Sequence, residues 1–147
     1  MKQLKYDITK CVACRTCELV CCVGHTENKD LFKSVLGKDD SLPRVKVSNS
    51  KVKNFPVACR HCDDPKCVAA CISNALIKNT KTGMVDYDKD KCVGCWMCVM
   101  SCPYGAIRPN HKTKKVVRCD LCSDVDTPRC AEKCPVKAII LEEVEVK

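Results

Sequence analysis

The chain has 147 residues, seventeen of them cysteines, and a formal net charge of +8. This cysteine content indicates a metal scaffold or a disulfide framework, in a chain with one Trp, three Tyr and two Phe to build an ordinary apolar core. No stretch approaches the ~18 apolar residues of a transmembrane helix, and the first residues lack the apolar segment of a signal peptide. We therefore expect a cytoplasmic protein, with any membrane association made through a partner, and thiolate–metal binding in preference to disulfides.

Short strands and one helix are predicted around the cysteines. In chain order they are a strand at 4–6, a helix at 29–36, strands at 43–47 and 55–57 around a turn at 48–50, strands at 75–77 and 84–86 around a turn at 79–83, strands at 106–108 and 115–117 around a turn at 109–112, and a strand at 138–141. The first and last strands are predicted to pair and to bring the two ends of the chain together. Segment 23–58 lacks the cysteine pattern and is predicted to be an insertion that packs on the metal-binding lobes.

Sixteen of the seventeen cysteines fall into four runs of four, and every run ends with the spacing C-x3-C. Run one is Cys11, Cys14, Cys17 and Cys21; run two is Cys59, Cys62, Cys67 and Cys71; run three is Cys92, Cys95, Cys98 and Cys102; run four is Cys119, Cys122, Cys130 and Cys134. The repeat includes an alanine four residues after the last cysteine of runs two, three and four, at Ala75, Ala106 and Ala138. Cys22 alone lies outside the repeat.

The spacing of run three, C-V-G-C-W-M-C-V-M-S-C-P, is the C-x2-C-x2-C-x3-C-P pattern that binds [4Fe–4S] clusters in pairs. Three cysteines on a tight loop reach three iron corners, and the fourth points away and binds the other cluster of the pair. Four complete runs therefore predict four clusters in two ligand-exchanging pairs. Runs two and four have longer internal gaps, which we interpret as loop variation that leaves all four ligands in place.

Other uses of the cysteines fit the spacing less well. Structural zinc favours isolated C-x2-C pairs, a radical-type cluster needs C-x3-C-x2-C, and c-type haem needs C-x2-C-H. Cys22 is predicted to be a buried free thiol and not a ligand, and the histidines are not needed as ligands. Five basic residues lie among the cysteines or beside them: Arg15, Arg60, Lys66, Arg118 and Arg129. They either favour the more negative, reduced form of a cluster or are ordinary solvated charges.

The four runs in this order resemble the four-cluster electron-transfer subunits of molybdopterin oxidoreductases, formate dehydrogenases and hydrogenases. Within that group the chain most resembles the iron–sulfur subunit associated with carbon monoxide dehydrogenase, in C-R-T-C-E at 14–18, D-L-F-K at 30–33, P-R-V-K-V at 43–47, C-R-H-C-D-D-P-K-C at 59–67 and K-C-V-G-C-W-M-C-V-M-S-C-P-Y-G-A-I at 91–107. The resemblance implies an α+β fold of two ferredoxin-like lobes related by a pseudo-twofold axis. Residues 1–48 with 114–147 would form one lobe and residues 49–113 the other.

The resemblance also implies how the runs exchange ligands, with run one pairing with run four and run two with run three. Four ligand groups follow, each named here by its first cysteine. They are the Cys11 group (Cys11, Cys14, Cys17, Cys134), the Cys119 group (Cys119, Cys122, Cys130, Cys21), the Cys59 group (Cys59, Cys62, Cys67, Cys102) and the Cys92 group (Cys92, Cys95, Cys98, Cys71).

The function implied is electron conduction without bond chemistry, because four protein ligands per cluster leave no iron open to a substrate. The implied donor is a carbon monoxide dehydrogenase and the implied acceptor a flavin NAD(P)H oxidoreductase or a hydrogenase. The alternative is a subunit of a molybdenum or tungsten oxidoreductase or of a formate dehydrogenase, and a remote alternative is a basic multi-zinc nucleic-acid binder. Four oxidised clusters with their thiolates carry about −8 in total, which offsets the net charge, so nucleic acid is not the expected partner.

Overall fold

The computed structural model describes residues 2–36, 41–49 and 53–144. These residues form an α+β fold of short elements, as the sequence predicts. Its elements are β1 Lys2–Tyr6, α1 Thr16–Gly24, α2 Leu31–Leu36, β2 Lys46–Asn49, β3 Asn54–Val57, α3 Lys66–Ala69, β4 Leu76–Lys78, β5 Val85–Tyr87, α4 Met97–Ser101, β6 Arg108–Asn110, β7 Lys115–Val117, α5 Arg129–Glu132 and β8 Ile139–Glu143. Within the described ranges, no helix has the length and apolar character needed to cross a bilayer.

The strands form four separate antiparallel pairs, β1–β8, β2–β3, β4–β5 and β6–β7. The predicted pairing of the first and last strands is confirmed, with Leu4 opposite Leu141. The predicted hairpins are confirmed too, although β2 begins three residues later than predicted and includes residues 48–49 of the predicted turn, and strands β4 to β6 begin one or two residues later. Strand β6 begins at Arg108 and not at Ala106, whose amide donates to the Cys102 sulfur. Ser50, in the first predicted turn, lies outside the described residues.

Helix α2 begins two residues after the predicted start. Lys29 has a positive φ of 48°, which no helix interior tolerates, and Asp30 caps the helix by accepting a hydrogen bond from the Lys33 amide at 2.9 Å. The local sequence therefore contains its own start signal one residue before Leu31.

A common unit of cysteine run, buried small residue and hairpin recurs along the chain. The residue before each repeat alanine has a positive φ, namely 51° at Asn74, 59° at Gly105 and 51° at Lys137. The alanine that follows is buried in each case, with at most 6% of its surface exposed. The alanine repeat seen in the sequence is thus the bend that turns the chain from the fourth cysteine of a run into the next strand.

Segment 23–58 is an insertion only in its first part. The Arg44 amide donates to the Cys21 sulfur at 3.2 Å, and Val45 beside it is 1% exposed. These two residues occupy the place that the alanine and its neighbour take in the other units, and the β2–β3 hairpin then corresponds to β4–β5 and β6–β7. The added residues are those between Cys21 and Arg44.

Two apolar clusters surround the cysteines. The smaller contains Leu76, Val85, Ile107, Val116 and Cys98. The larger combines residues from both ends of the chain with the β2–β3 hairpin, and it also takes in Ala58, Cys59 and Ala106. The predicted lobe boundary at 48/49 falls inside the β2–β3 hairpin, and these last three residues belong to the other predicted lobe. The division into two lobes therefore stays a prediction.

Candidate iron–sulfur cluster sites

Each cysteine run begins with a loop that bends at the same point. The residue just before the second cysteine has a left-handed backbone in all four runs, with φ of 56° at Ala13, 51° at His61, 71° at Gly94 and 57° at Leu121. Successive amides on either side of such a residue point into one concavity, an arrangement typical of anion and iron–sulfur sites. For residues other than glycine this conformation costs about 1–2 kcal/mol, so the loops are shaped for a ligand and not for their own stability.

The fold brings together the cysteines of each predicted group. All four members of the Cys11 group line one small cavity beside Val47 and Ile139, and all four of the Cys92 group line another beside Leu76 and Trp96. In the Cys59 group, burial raises the pKa of Cys62 and of Cys67, and the neighbouring Cys59 and Cys102 raise it further. The cysteines of each group thus lie near one another, and the ligand groups that the resemblance implies stay a prediction.

The Cys119 group is the most deeply buried. Burial raises the pKa of Cys130 strongly, and Cys119, Cys21 and Cys122 add to the effect because four potential thiolates lie close together. Burial likewise raises the pKa of Cys119 to about 12. Burial and mutual repulsion therefore oppose the thiolate form of these cysteines, and a bound metal cation such as iron would favour it.

Backbone amides point at the fourth cysteine of each run. Ala106 donates to Cys102 at 3.4 Å and Ala138 to Cys134 at 3.3 Å, in the same way as Arg44 donates to Cys21. These bonds favour a thiolate over a thiol. At Cys71 burial opposes the charged form, yet hydrogen bonds from Leu76, Ser73 and Ala75 lower its pKa. The donor geometry therefore fits cysteines that bind metal as thiolates.

Four buried donors point to the same kind of group. Among the described residues, the buried atoms without a hydrogen-bond partner are Tyr6 Oη, His61 Nε2, Arg108 Nη2 and Arg118 Nε. Burial raises the pKa of Tyr6, and the nearby Cys119 and Cys130 raise it further. A buried donor needs an acceptor, and sulfide at the cysteine sites would be one. The residues present therefore fit [4Fe–4S] clusters.

Cys22 behaves differently from the grouped cysteines. Its half-buried thiol donates to the Ser41 carbonyl at 2.9 Å, and the Ser41 hydroxyl donates back to the Cys22 carbonyl at 3.2 Å. A metal-bound thiolate has no proton to donate. This contact supports the prediction that Cys22 is not a ligand.

Sequence reasoning missed a charged network beside the Cys119 group. Asp120 pairs with Arg44 and with His25, the latter at 3.3 Å. Burial opposes a charged His25, but hydrogen bonds to Asp120 and Cys21 raise its pKa to about 10. The network joins the added segment after Cys21 to run four. The sequence contains no local signal for it, because its members are far apart along the chain.

Two predicted ligands are exposed, Cys14 of the Cys11 group and Cys95 of the Cys92 group. Exposed apolar side chains lie beside them in the sequence, including Val12 at 62%, Val93 at 65% and Met100 at 83%. The other two groups have no exposed member. Two of the four groups therefore have an exposed member, the Cys59 group has none but is partly exposed, and the Cys119 group is wholly buried.

Comparison with known proteins gives the family. Residues 50–144 match the 4Fe–4S dicluster domain family. The chain belongs to this family. The family match and the seventeen cysteines are consistent with four [4Fe–4S] clusters, whose individual ligands stay a prediction. The family match covers three of the four runs, and run one lies before it.

The similar proteins span most of the chain. HydN, an electron transport protein of Escherichia coli, is 35% identical over 150 residues that cover 91% of this chain and 83% of HydN. YnfG of E. coli, named "Probable anaerobic dimethyl sulfoxide reductase chain", is 34% identical over 95% of this chain and 72% of its own. A chain of the active-site complex BamBC of benzoyl coenzyme A reductase shares the fold, with a TM-score of 0.55, 23% identity and coverage of 100% of this chain and 78% of its own. The protein is thus an iron–sulfur protein related to electron-transport proteins and oxidoreductase subunits.

Proposed function

We propose that the protein conducts electrons between two redox partners through four [4Fe–4S] clusters. The observation that supports this most is the assembly of sixteen cysteines into four separate groups, two of which line cavities of their own. When bound, each cluster accepts and releases one electron. The cysteines hold the clusters as thiolates, and the surrounding amides and buried donors stabilise that negative charge.

The ligand sets in this proposal are the four groups defined from the resemblance. Shared cavities support the Cys11 and Cys92 groups, and mutual electrostatic effects support the Cys59 and Cys119 groups. Four thiolates per cluster leave no open iron, so the protein is a conductor and not itself an enzyme. The two proposed lobes are residues 1–48 with 114–147 and residues 49–113, each holding one exchanging pair.

The groups have a spatial order. Three pairs of cysteines from different groups lie close enough for one sulfur to raise the pKa of the other. They are Cys67 with Cys98 (Cys59 and Cys92 groups), Cys59 with Cys119 (Cys59 and Cys119 groups) and Cys17 with Cys130 (Cys11 and Cys119 groups). The path then runs from the Cys92 group through the Cys59 and Cys119 groups to the Cys11 group. Its two ends are the groups with an exposed cysteine. An electron would therefore enter near Cys95 and leave near Cys14, or the reverse.

A large redox enzyme binds at one end and an acceptor protein at the other. The resemblance names a carbon monoxide dehydrogenase as the enzyme and a flavin NAD(P)H oxidoreductase or a hydrogenase as the acceptor. A second candidate is a molybdenum or tungsten oxidoreductase, or a formate dehydrogenase. The name of YnfG supports the wider class, because it describes a chain of a reductase complex.

Anaerobic purification of the tagged protein from its own cells tests the proposal. Recovery with a nickel enzyme supports the carbon monoxide dehydrogenase partner, and recovery with a molybdenum or tungsten enzyme supports the second candidate. Met100→Lys, five residues after the exposed Cys95 of the Cys92 group, should release one partner and keep the other. Leu36→Lys is the control, since Leu36 is 80% exposed on α2, outside the cysteine runs. Recovery of no redox protein from wild-type cells would contradict the proposed function.

A further inference from the structure

A buried cation, the Arg118 side chain, contacts the Cys59 group. The backbone of the same residue is bonded to Cys119, the first member of the Cys119 group. Arg118 is 4% exposed and directly precedes Cys119 in the chain. Its guanidinium donates to the Val85 carbonyl at 2.5 Å and to the Cys59 sulfur at 3.5 Å. Arg118 therefore lies where the Cys59 and Cys119 groups meet.

The charge of Arg118 is not neutralised by a carboxylate. Among the described residues, no Asp or Glu forms an ion pair with it. A buried cation without a partner is strongly unfavourable, so an anion must face it. The guanidinium contacts the Cys59 sulfur, which would supply this negative charge as a ligand of the proposed cluster.

A neutral histidine holds the guanidinium in place. His61 is 1% exposed, and its Nδ1 accepts hydrogen bonds from the Val85 amide and from Arg118 Nη2, both at 3.1 Å. Because Nδ1 accepts the hydrogen of a backbone amide, it carries no proton, and the guanidinium is the charged group of the pair. Arg118 is thus the cation of this contact, and His61 and Val85 fix its direction.

We propose that Arg118 is a positioning residue that sets the reduction potential of the cluster on the Cys59 group, at the crossing between the two inner clusters. The inference rests on the proposed four-cluster ligation. Reduction adds one electron to the cluster and increases its negative charge, so an adjacent buried cation stabilises the reduced form. In the protein that electron comes from a neighbouring reduced cluster, which is oxidised by one electron in turn.

The test compares Arg118→Gln with Arg60→Gln by anaerobic redox titration with dithionite, followed by electron paramagnetic resonance. Arg60 is the matched control, because it adjoins Cys59 in the sequence but is exposed and stacks over the Tyr104 ring at 4.4 Å. In Arg118→Gln, the oxidised-to-reduced ratio of one cluster at a fixed potential should rise at least tenfold, equal to about 59 mV for a one-electron couple. Arg118→Lys keeps the charge, so its oxidised-to-reduced ratio should return most of the way to the wild-type value. Arg60→Gln should have the wild-type ratio.

Iron content separates this proposal from the proposed function. A wild-type chain with fewer than about 16 irons contradicts the four clusters themselves. Full iron in Arg118→Gln with four unchanged potentials overturns the role of Arg118, and so does an equal shift in Arg60→Gln. If Arg118→Gln loses iron, the Arg118→Lys variant becomes the test. Full iron and wild-type potentials in Arg118→Lys support the role of the charge, and a tenfold change in its oxidised-to-reduced ratio overturns that role.

Discussion

The substitution Gly94→Ala should remove the cluster of the Cys92 group. Gly94 has a φ of +71°, and a Cβ at this position would overlap the backbone carbonyl oxygen of Lys114. The left-handed conformation costs about 1–2 kcal/mol for alanine, and relieving an overlap with backbone costs about 1–3 kcal/mol. The expected loss is therefore about 2–5 kcal/mol, concentrated in the loop that carries Cys92 and Cys95.

Two positions in the same chain separate the overlap from the left-handed conformation. Ala13 occupies the equivalent place in run one with a φ of 56°, so an alanine can hold this bend where there is room. Gly105 has a φ of +59°, and no atom lies within 4 Å of a Cβ built there. Gly105→Ala is the matched control, and it should lose only the ~1–2 kcal/mol of the conformation.

Iron and acid-labile sulfide analysis after anaerobic reconstitution measures the result. Gly94→Ala should contain about 12 irons per chain in place of about 16, and Gly105→Ala should keep about 16. Denaturation in guanidinium, followed by loss of the cluster absorbance, should show the larger destabilisation for Gly94→Ala. Equal iron and equal stability in the two variants would refute the reasoning.

Three further predictions concern the ligands and their surroundings. Cys22→Ala should keep all the iron, whereas Cys21→Ala should lose part of it. Iron loss from Cys22→Ala would contradict the prediction that Cys22 is not a ligand. Tyr6→Phe removes a buried donor beside two ligand cysteines, so one reduction potential should fall by about 20–65 mV in a redox titration, and four unchanged potentials would show that no cluster sulfur accepts from it. Burial opposes a charged His25, but hydrogen bonds to Asp120 and Cys21 raise its pKa to about 10; its stabilisation should be complete below pH 6.5 and lost as the pH rises toward 10. His25→Gln should remove this part of the pH dependence of unfolding, and an unchanged profile would contradict it.

The four cysteine runs could be predicted because their information is local, whereas the exchange of the fourth cysteine between runs was implied only by the family resemblance. Each run places its ligands within a few residues of one another, and spacing alone says which sulfurs share a loop. The pairing of β1 with β8 is not local, but it was predictable because each end of the chain has a strand-like segment without a hairpin partner beside it. The predicted start of strand β6 at Ala106 was wrong by two residues, because the Ala106 amide donates to the Cys102 sulfur and not to the neighbouring strand.

The contacts that tune the groups could not be predicted, because they join distant parts of the chain. Arg44 reaches Cys21 across 23 residues, and Arg118 reaches Cys59 across 59 residues. Run one has no alanine four residues after Cys21, so the equivalence of the β2–β3 hairpin with the later hairpins is hidden in the sequence. Tyr6 gave no signal, since a tyrosine in a strand ordinarily packs in a core.

The central claim is that this chain holds four clusters that each carry one electron. The most direct measurement is a stoichiometric titration of the anaerobically reconstituted protein with dithionite, combined with iron and sulfide analysis of the same sample. Four clusters should give about 16 irons, about 16 sulfides and about four electrons per chain. About eight irons with about two electrons, or zinc without sulfide, would contradict it.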